Sequence, residues 1–123
     1  MEKLLHYVWK HRILPLGSLS TTDGRRVEVI DPGMHNHDGG PDFFNAKVLV
    51  EGILWAGNVE IHLRSSDWFR HGHDTDAAYD GVVLHVVQDA DCEVNNSQGR
   101  VIPQVIMHIP DSLVQDYQSL LRT

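Results

Sequence analysis

Leu4, Leu5, Val8 and Trp9 recur at helical spacing and predict a helix over residues 2–14, which Pro15 would end. Thr22-Asp23-Gly24 is a turn signal, and Val27-Glu28-Val29-Ile30 alternates as a short strand. Residues 31–41, Asp-Pro-Gly-Met-His-Asn-His-Asp-Gly-Gly-Pro, read as a loop. Ordering such a loop costs entropy, which points to a task, with a long connection as the bland alternative. Residues 43–50 form a mostly apolar strand that Glu51-Gly52 turns back into residues 54–64. Ser66 or Asp67 would cap a second helical stretch running towards Tyr79, interrupted at Gly72. Val82 to Val87 is apolar on both faces, as a central strand covered on both sides requires. After a loop at 95–99, residues 101–109 form a last strand that Pro103 pushes to an edge or a bulge. Asp111 opens a final helix with Leu113, Val114, Tyr117, Leu120 and Leu121 in one stripe.

Helix, three strands, helix, strand, then an extra strand and helix: this order predicts an α/β fold, a mixed sheet flanked by helices, in a single domain over residues 1–123. An apolar content of 41% in 123 residues is enough for a real core and argues against disorder. The start lacks the features of a secretory signal, no apolar run is long enough to span a membrane, and Cys92 is the only cysteine. A reducing cytoplasm is the simplest expected location. The net charge of −7 weighs against a protein that coats nucleic acid, but not against a small catalytic pocket. Nine histidines, including His35-x-His37 and His71-x-His73, put metal binding under consideration.

In Val59-Glu60-Ile61-His62-Leu63 the alternation sends Val59, Ile61 and Leu63 to the core and puts Glu60 and His62 on the other face, roughly 6.5–7 Å apart. Asp42 opens the preceding strand. A three-residue hairpin loop at 51–53 would set Asp42 opposite His62 on that same face. A two-residue Glu51-Gly52 turn would send Asp42 to the opposite face unless a bulge corrected it. Two convergent carboxylates make a hard-oxygen site for Mg²⁺ or Mn²⁺. There a cation polarises a phosphoryl oxygen and acidifies water, while His62 takes the water proton, orients the water or ligates a softer metal. The alternative is that Glu60 and His62 form the solvated face of an amphipathic strand. On the nuclease-type reading, a lysine at position 62 points off the core face and extends into solvent, which preserves the fold.

Gly40-Pro41-Asp42, Glu60-Ile61-His62 and the αβββαβ order resemble the PD-(D/E)XK superfamily of restriction-endonuclease-like proteins. The resemblance implies a restriction-endonuclease-like core. It also implies that Asp42 and Glu60 bind the metal with the backbone carbonyl of Ile61, with Glu2 as an accessory acid. His62 stands where that superfamily usually has its catalytic lysine, a permanent cation that a neutral imidazole does not replace. A closer resemblance runs through residues 1–90: Asn36, Gly40-Pro41-Asp42-Phe43, Asn45-Ala46, Trp55, Gly57 to His62, Ser66-Asp67-Trp68, His71-Gly72-His73, Tyr79 and Leu84 to Val87. These residues resemble a bacterial family of unknown function, mainly from Bacteroidetes, whose longer members would make this chain their N-terminal core.

His71-Gly72-His73-Asp74-Thr75-Asp76 is similar to the H-x-H-x-D-H zinc motif of metallo-β-lactamase-like hydrolases, but Thr75 and Asp76 break it at two places. His35, His37, Asn58, His71 and His73 are candidates for substrate contact or for support behind the site. His85 reads as a hydrogen-bonded core histidine, Ser65 and Ser66 as caps, and Cys92, among acidic neighbours, as inert. Trp55 and Trp68 read as core and rim packing. The expected function is a Mg²⁺- or Mn²⁺-dependent phosphodiesterase of nuclease type acting on nucleic acid. The alternatives are an inactive nuclease-like domain that binds or regulates a partner, and a Zn²⁺ hydrolase built on the histidines.

Overall fold

In the computed structural model, which describes residues 1–13 and 19–122, the chain forms a mixed α/β structure around one curled sheet. Helix α1 spans Glu2–His11 and buries Leu4, Leu5, Val8 and Trp9. It ends three residues short of the expected boundary, with Arg12 in the left-handed conformation. The expected stop at Pro15 falls outside the described residues. Strands β1 (Leu19–Ser20), β2 (Arg26–Asp31), β3 (Met34–His35), β4 (Phe43–Val50), β5 (Ile53–Arg64), β6 (Val82–Asp89) and β7 (Gln104–Ile106) make one seven-stranded sheet. Its order is β1-β2-β4-β5-β6-β7, with β3 pairing β4 off that path.

As expected, β4 and β5 are antiparallel neighbours, and β6 lies centrally, parallel to both β5 and β7. The expected last strand at 101–109 shrinks to three residues, because Pro103 has no amide to donate; its carbonyl instead accepts from His85 N at 2.9 Å. Nor is β7 left as a bare edge. Thr21 bridges Val105, and the Thr22 amide donates to the Gln104 carbonyl, so the first and last strands meet and the sheet curls round its core.

Inside the curl, Val27, Val48, Phe43, Val59, Ile61, Leu84, Val86 and Val105 pack with α1. Helix α3 (Asp111–Arg122) adds Leu113, Val114 and Tyr117 to this core, but Leu120 and Leu121 of the expected stripe are exposed. The opposite face of β5 and β6 is covered by the crossover between them. Helix α2 there is only Asp67–Arg70, followed by 3₁₀ turns at His73–Thr75 and Ala77–Tyr79. Gly72, at φ 72°, takes the left-handed conformation that stops α2 where the sequence suggested an interruption. Trp68 anchors this crossover in a second apolar cluster with Val82, Val94 and Ile102. Trp55 lies at the surface beneath the Arg100 guanidinium, 4.5 Å from its ring centre. No described helix is long and apolar enough to cross a membrane.

Candidate functional site

The hairpin turn between β4 and β5 has two residues, not three: Val50 pairs with Ile53, and Glu51 and Gly52 both have positive φ. That register alone would put Asp42 opposite Ile61, on the core face. A bulge corrects it. Pairing shifts between Ala46↔Gly57 and Phe43↔Val59, so Phe44 and Asn45 together face Asn58. Asn45 takes φ 57°, and its amide lies 3.4 Å from Asn58 Oδ1. Asn58 thus braces the bulge. The net effect returns Asp42 to the other face, opposite Glu60 rather than His62.

Asp42 and Glu60 then lock to each other's strands. The Asp42 amide donates to Glu60 Oε1 at 3.0 Å, and the Ile61 amide donates to Asp42 Oδ2 at 2.9 Å. Asn36 sets the approach: its amide donates to the Asp42 carbonyl, and its Nδ2 lies within 3.3 Å of the carbonyls of Asp38, Gly39 and Pro41. Burial pushes both carboxyls up to about 7, and the charge of Glu60 adds to the rise at Asp42.

Glu60 and His62 are not a solvated face. They are 4% and 1% exposed, because the α2 crossover covers them. A lysine at position 62 would meet His71 and His73 before it met water. Parallel register brings His85 beside them, and the buried side chains link in a row. His62 Nδ1 lies 2.8 Å from His85 Nε2, His85 Nδ1 lies 2.8 Å from Gln104 Oε1, and Gln104 Nε2 donates to the Cys92 carbonyl at 2.8 Å. A carbonyl only accepts, so the Gln104 amide orientation is set by Cys92 and its Oε1 accepts from His85 Nδ1–H. His85 Nε2 then accepts from His62 Nδ1–H, which leaves His62 Nε2 with a bare lone pair. Burial, reinforced by the neighbouring histidines, pushes His62 down to about 2; burial likewise lowers His85 to about 4, and both rings are neutral.

The bare Nε2 of His62 is 3.4 Å from Glu60 Oε2, and His73 Nε2 is 2.9 Å from the same oxygen. The second pair is close without being aligned for a hydrogen bond; both ring nitrogens of His73 are buried with no hydrogen-bond partner among the described residues. His71 completes the group: the ligand atoms of His62, His71 and His73 all lie within 4.8 Å of one another. Tyr79 stacks on His73 at 3.6 Å between ring centres, and Trp68 stands edge-on to it. Thr75 and Asp76 contribute no ligand, since they bond the Gly72 carbonyl and the Ala78 amide.

On the other side of Asp42, His6 Nε2 lies 3.5 Å from Asp42 Oδ2 and 3.8 Å from Glu2 Oε1. Its Nδ1 lies 3.2 Å from His35 Nε2, and His35 stacks on Phe43 with His37 against it. A groove of about 560 Å³ opens here, lined by Lys3, His6, Lys10, His11, His35 and His37 among others. His6 and Gln104 carried no signal in the sequence, because the contacts that tie them to the site, His6 with Asp42 and Gln104 with His85, join positions far apart in the chain. Ser66 sits at the start of α2 without a side-chain capping bond, and Ser65 is buried with its hydroxyl unpartnered among the described residues. Burial and Asp91 raise the Cys92 thiol, as expected of an inert cysteine.

No curated protein and no solved structure matches the chain. One family does match, along residues 2–123, and the chain belongs to it: the family described as "Protein of unknown function (DUF2851)".

Proposed function

We propose that the chain is a divalent-cation-dependent hydrolase of phosphodiester bonds in nucleic acid, with Asp42, Glu60 and the Ile61 backbone carbonyl holding Mg²⁺ or Mn²⁺. The observation that carries this reading is the reciprocal lock of Asp42 and Glu60, in which each carboxylate has one oxygen tied down by a main-chain amide. Asp42 Oδ1 and Glu60 Oε2 are left to face a cation. The amide of Ile61 points towards Asp42, and in a strand the carbonyl of the same residue projects to the same side. Oxygen donors of this kind suit a hard cation, and two buried acids raised towards neutrality are what such a site looks like without its countercharge. When bound, the cation supplies Lewis-acid polarisation of a phosphoryl oxygen and a more acidic water.

The groove supports an anionic substrate. Lys3 and Lys10 line it together with the single acid Glu2, and His6 joins it to Asp42, so its lining carries one more ammonium than carboxylate in a chain of net charge −7. His62 takes no part as a cation in this reading, since burial keeps it neutral.

The test is cleavage of labelled single- and double-stranded nucleic acid with Mn²⁺ or Mg²⁺, wild type against Asp42→Asn. Cation-dependent cleavage lost in the variant supports the reading. Absence of cleavage in the wild type with both cations and both substrates overturns it in favour of an inactive nuclease-like binding domain.

A further inference from the structure

We infer that His62, His71 and His73, with Glu60 Oε2 as a fourth donor, form a second cation centre, one that takes a borderline-soft ion such as Zn²⁺ or Co²⁺. The ligand atoms of the three imidazoles already lie within 4.8 Å of one another, and two of them lie 3.4 and 2.9 Å from Glu60 Oε2. Three imidazole nitrogens and one carboxylate oxygen are the donor set of zinc chemistry and a poor match to Mg²⁺.

Two observations besides proximity point to a ligand. His73 is only 5% exposed, yet both its ring nitrogens lack a hydrogen-bond partner among the described residues. A buried polar group left unpaired is costly, and a cation at Nε2 would satisfy it. The second is the row from Cys92 through Gln104 and His85 to His62. It puts the proton of His62 on Nδ1 and aims an unprotonated Nε2 at the cluster. Metal-binding histidines are held by such a partner on the other ring nitrogen, which fixes tautomer and ring orientation. His71 is exposed, so an ion can enter from solvent.

The crossover explains why the sequence motif looked broken. The left-handed Gly72 carries His71 and His73 over β5, and the third imidazole comes from His62 rather than from the positions of Thr75 and Asp76. The centre goes beyond the hydrolase reading and shares one atom with it, Glu60 Oε2, which would bridge the two ions.

The experiment adds Co²⁺ and, separately, Zn²⁺ to the full chain freed of metal, following the visible Co²⁺ bands and the bound Zn²⁺ per chain. The wild type should bind Zn²⁺ tightly and give the intense bands of a low-symmetry, four-coordinate Co²⁺. His71→Ala, at an exposed position, should keep the circular-dichroism spectrum and lose those bands. Asp42→Asn should keep the bands, whether or not it affects cleavage of nucleic acid. In the metal-free protein, imidazole ¹⁵N shifts should place the His62 proton on Nδ1. A wild type without Co²⁺ bands, bands untouched by His71→Ala, or a proton on His62 Nε2 would each overturn the centre.

Discussion

His62 and His85 share one proton-bearing contact, 2.8 Å long, between two imidazoles that burial keeps neutral. The contact makes position 62 interior, although its alternation with Ile61 marks it as outward-facing. His62→Lys tests this directly. The longer side chain must either carry a charge into a dry site or lose its proton there, and it faces His71 and His73 instead of solvent. Urea unfolding should show a loss of about 3 kcal/mol or more, from the lost His85 hydrogen bond and the overpacked histidines together, even with Glu60 beside the ammonium. A change within roughly 0.5 kcal/mol would mean a surface site.

The carboxyls and the histidines pull stability in opposite directions with pH. Asp42 and Glu60 rise from 3.8 and 4.5 to about 7, so across that window the folded protein binds more protons than the unfolded chain. Their contribution is present at low pH and lost as pH climbs through about 7. His62 and His85 fall from 6.5 to about 2 and about 4, so there the unfolded chain binds more protons. Their contribution is present above 6.5 and lost as pH drops towards the folded values. Metal-free Glu60→Gln keeps an acceptor for the Asp42 amide and removes a buried charge. It should be more stable than wild type by on the order of 1–3 kcal/mol at about pH 8 and little changed at about pH 5. With the carboxyl term reduced, its denaturation midpoint should rise more steeply with pH than that of the wild type. Parallel profiles would contradict the assignment.

Where signal was local, the sequence carried the fold. The apolar spacing of Leu4, Leu5, Val8 and Trp9 located α1, and two-sided apolarity located β6. The Asp42–Glu60–His62 constellation was legible from period and order. Its exact register was not, since a two-residue turn and a bulge at Asn45 compensate one another and neither announces the other. Burial of Glu60 and His62 was also hidden: alternation tells faces apart but says nothing of what a crossover lays on top. The imidazole cluster needed tertiary contact between β5 and the chain past Gly72, and Gln104 needed parallel register with β6.

The bulge can be probed at Asn45, whose φ of 57° suits Asn or Gly and strains a β-branched residue. Asn45→Gly should fold with near-native stability. Asn45→Val should lose about 1–3 kcal/mol, and because Asp42 depends on the bulge for its face, Mn²⁺ affinity should fall with it. Retained Mn²⁺ affinity in a destabilised Asn45→Val would separate the bulge from the site.

Gln104 offers the sharpest test of the hydrogen-bonded row. Gln104→Leu leaves the Cys92 carbonyl and His85 Nδ1 without partners, which should cost about 1–3 kcal/mol in urea unfolding. It also frees the tautomers. His85 can then hold its proton on Nε2 and donate to His62 Nδ1, which moves the His62 proton to Nε2, the nitrogen facing Glu60. Zn²⁺ affinity should fall roughly 10–100-fold, as on loss of an outer partner of a metal ligand. Gln104→Glu separates the two effects. A buried, protonated glutamic acid donates to the Cys92 carbonyl and accepts from His85 Nδ1–H, so the order of donors is kept. It should restore most of the Zn²⁺ affinity that Gln104→Leu loses. If both variants bind Zn²⁺ as the wild type does, the row is packing alone and does not set the proton on His62.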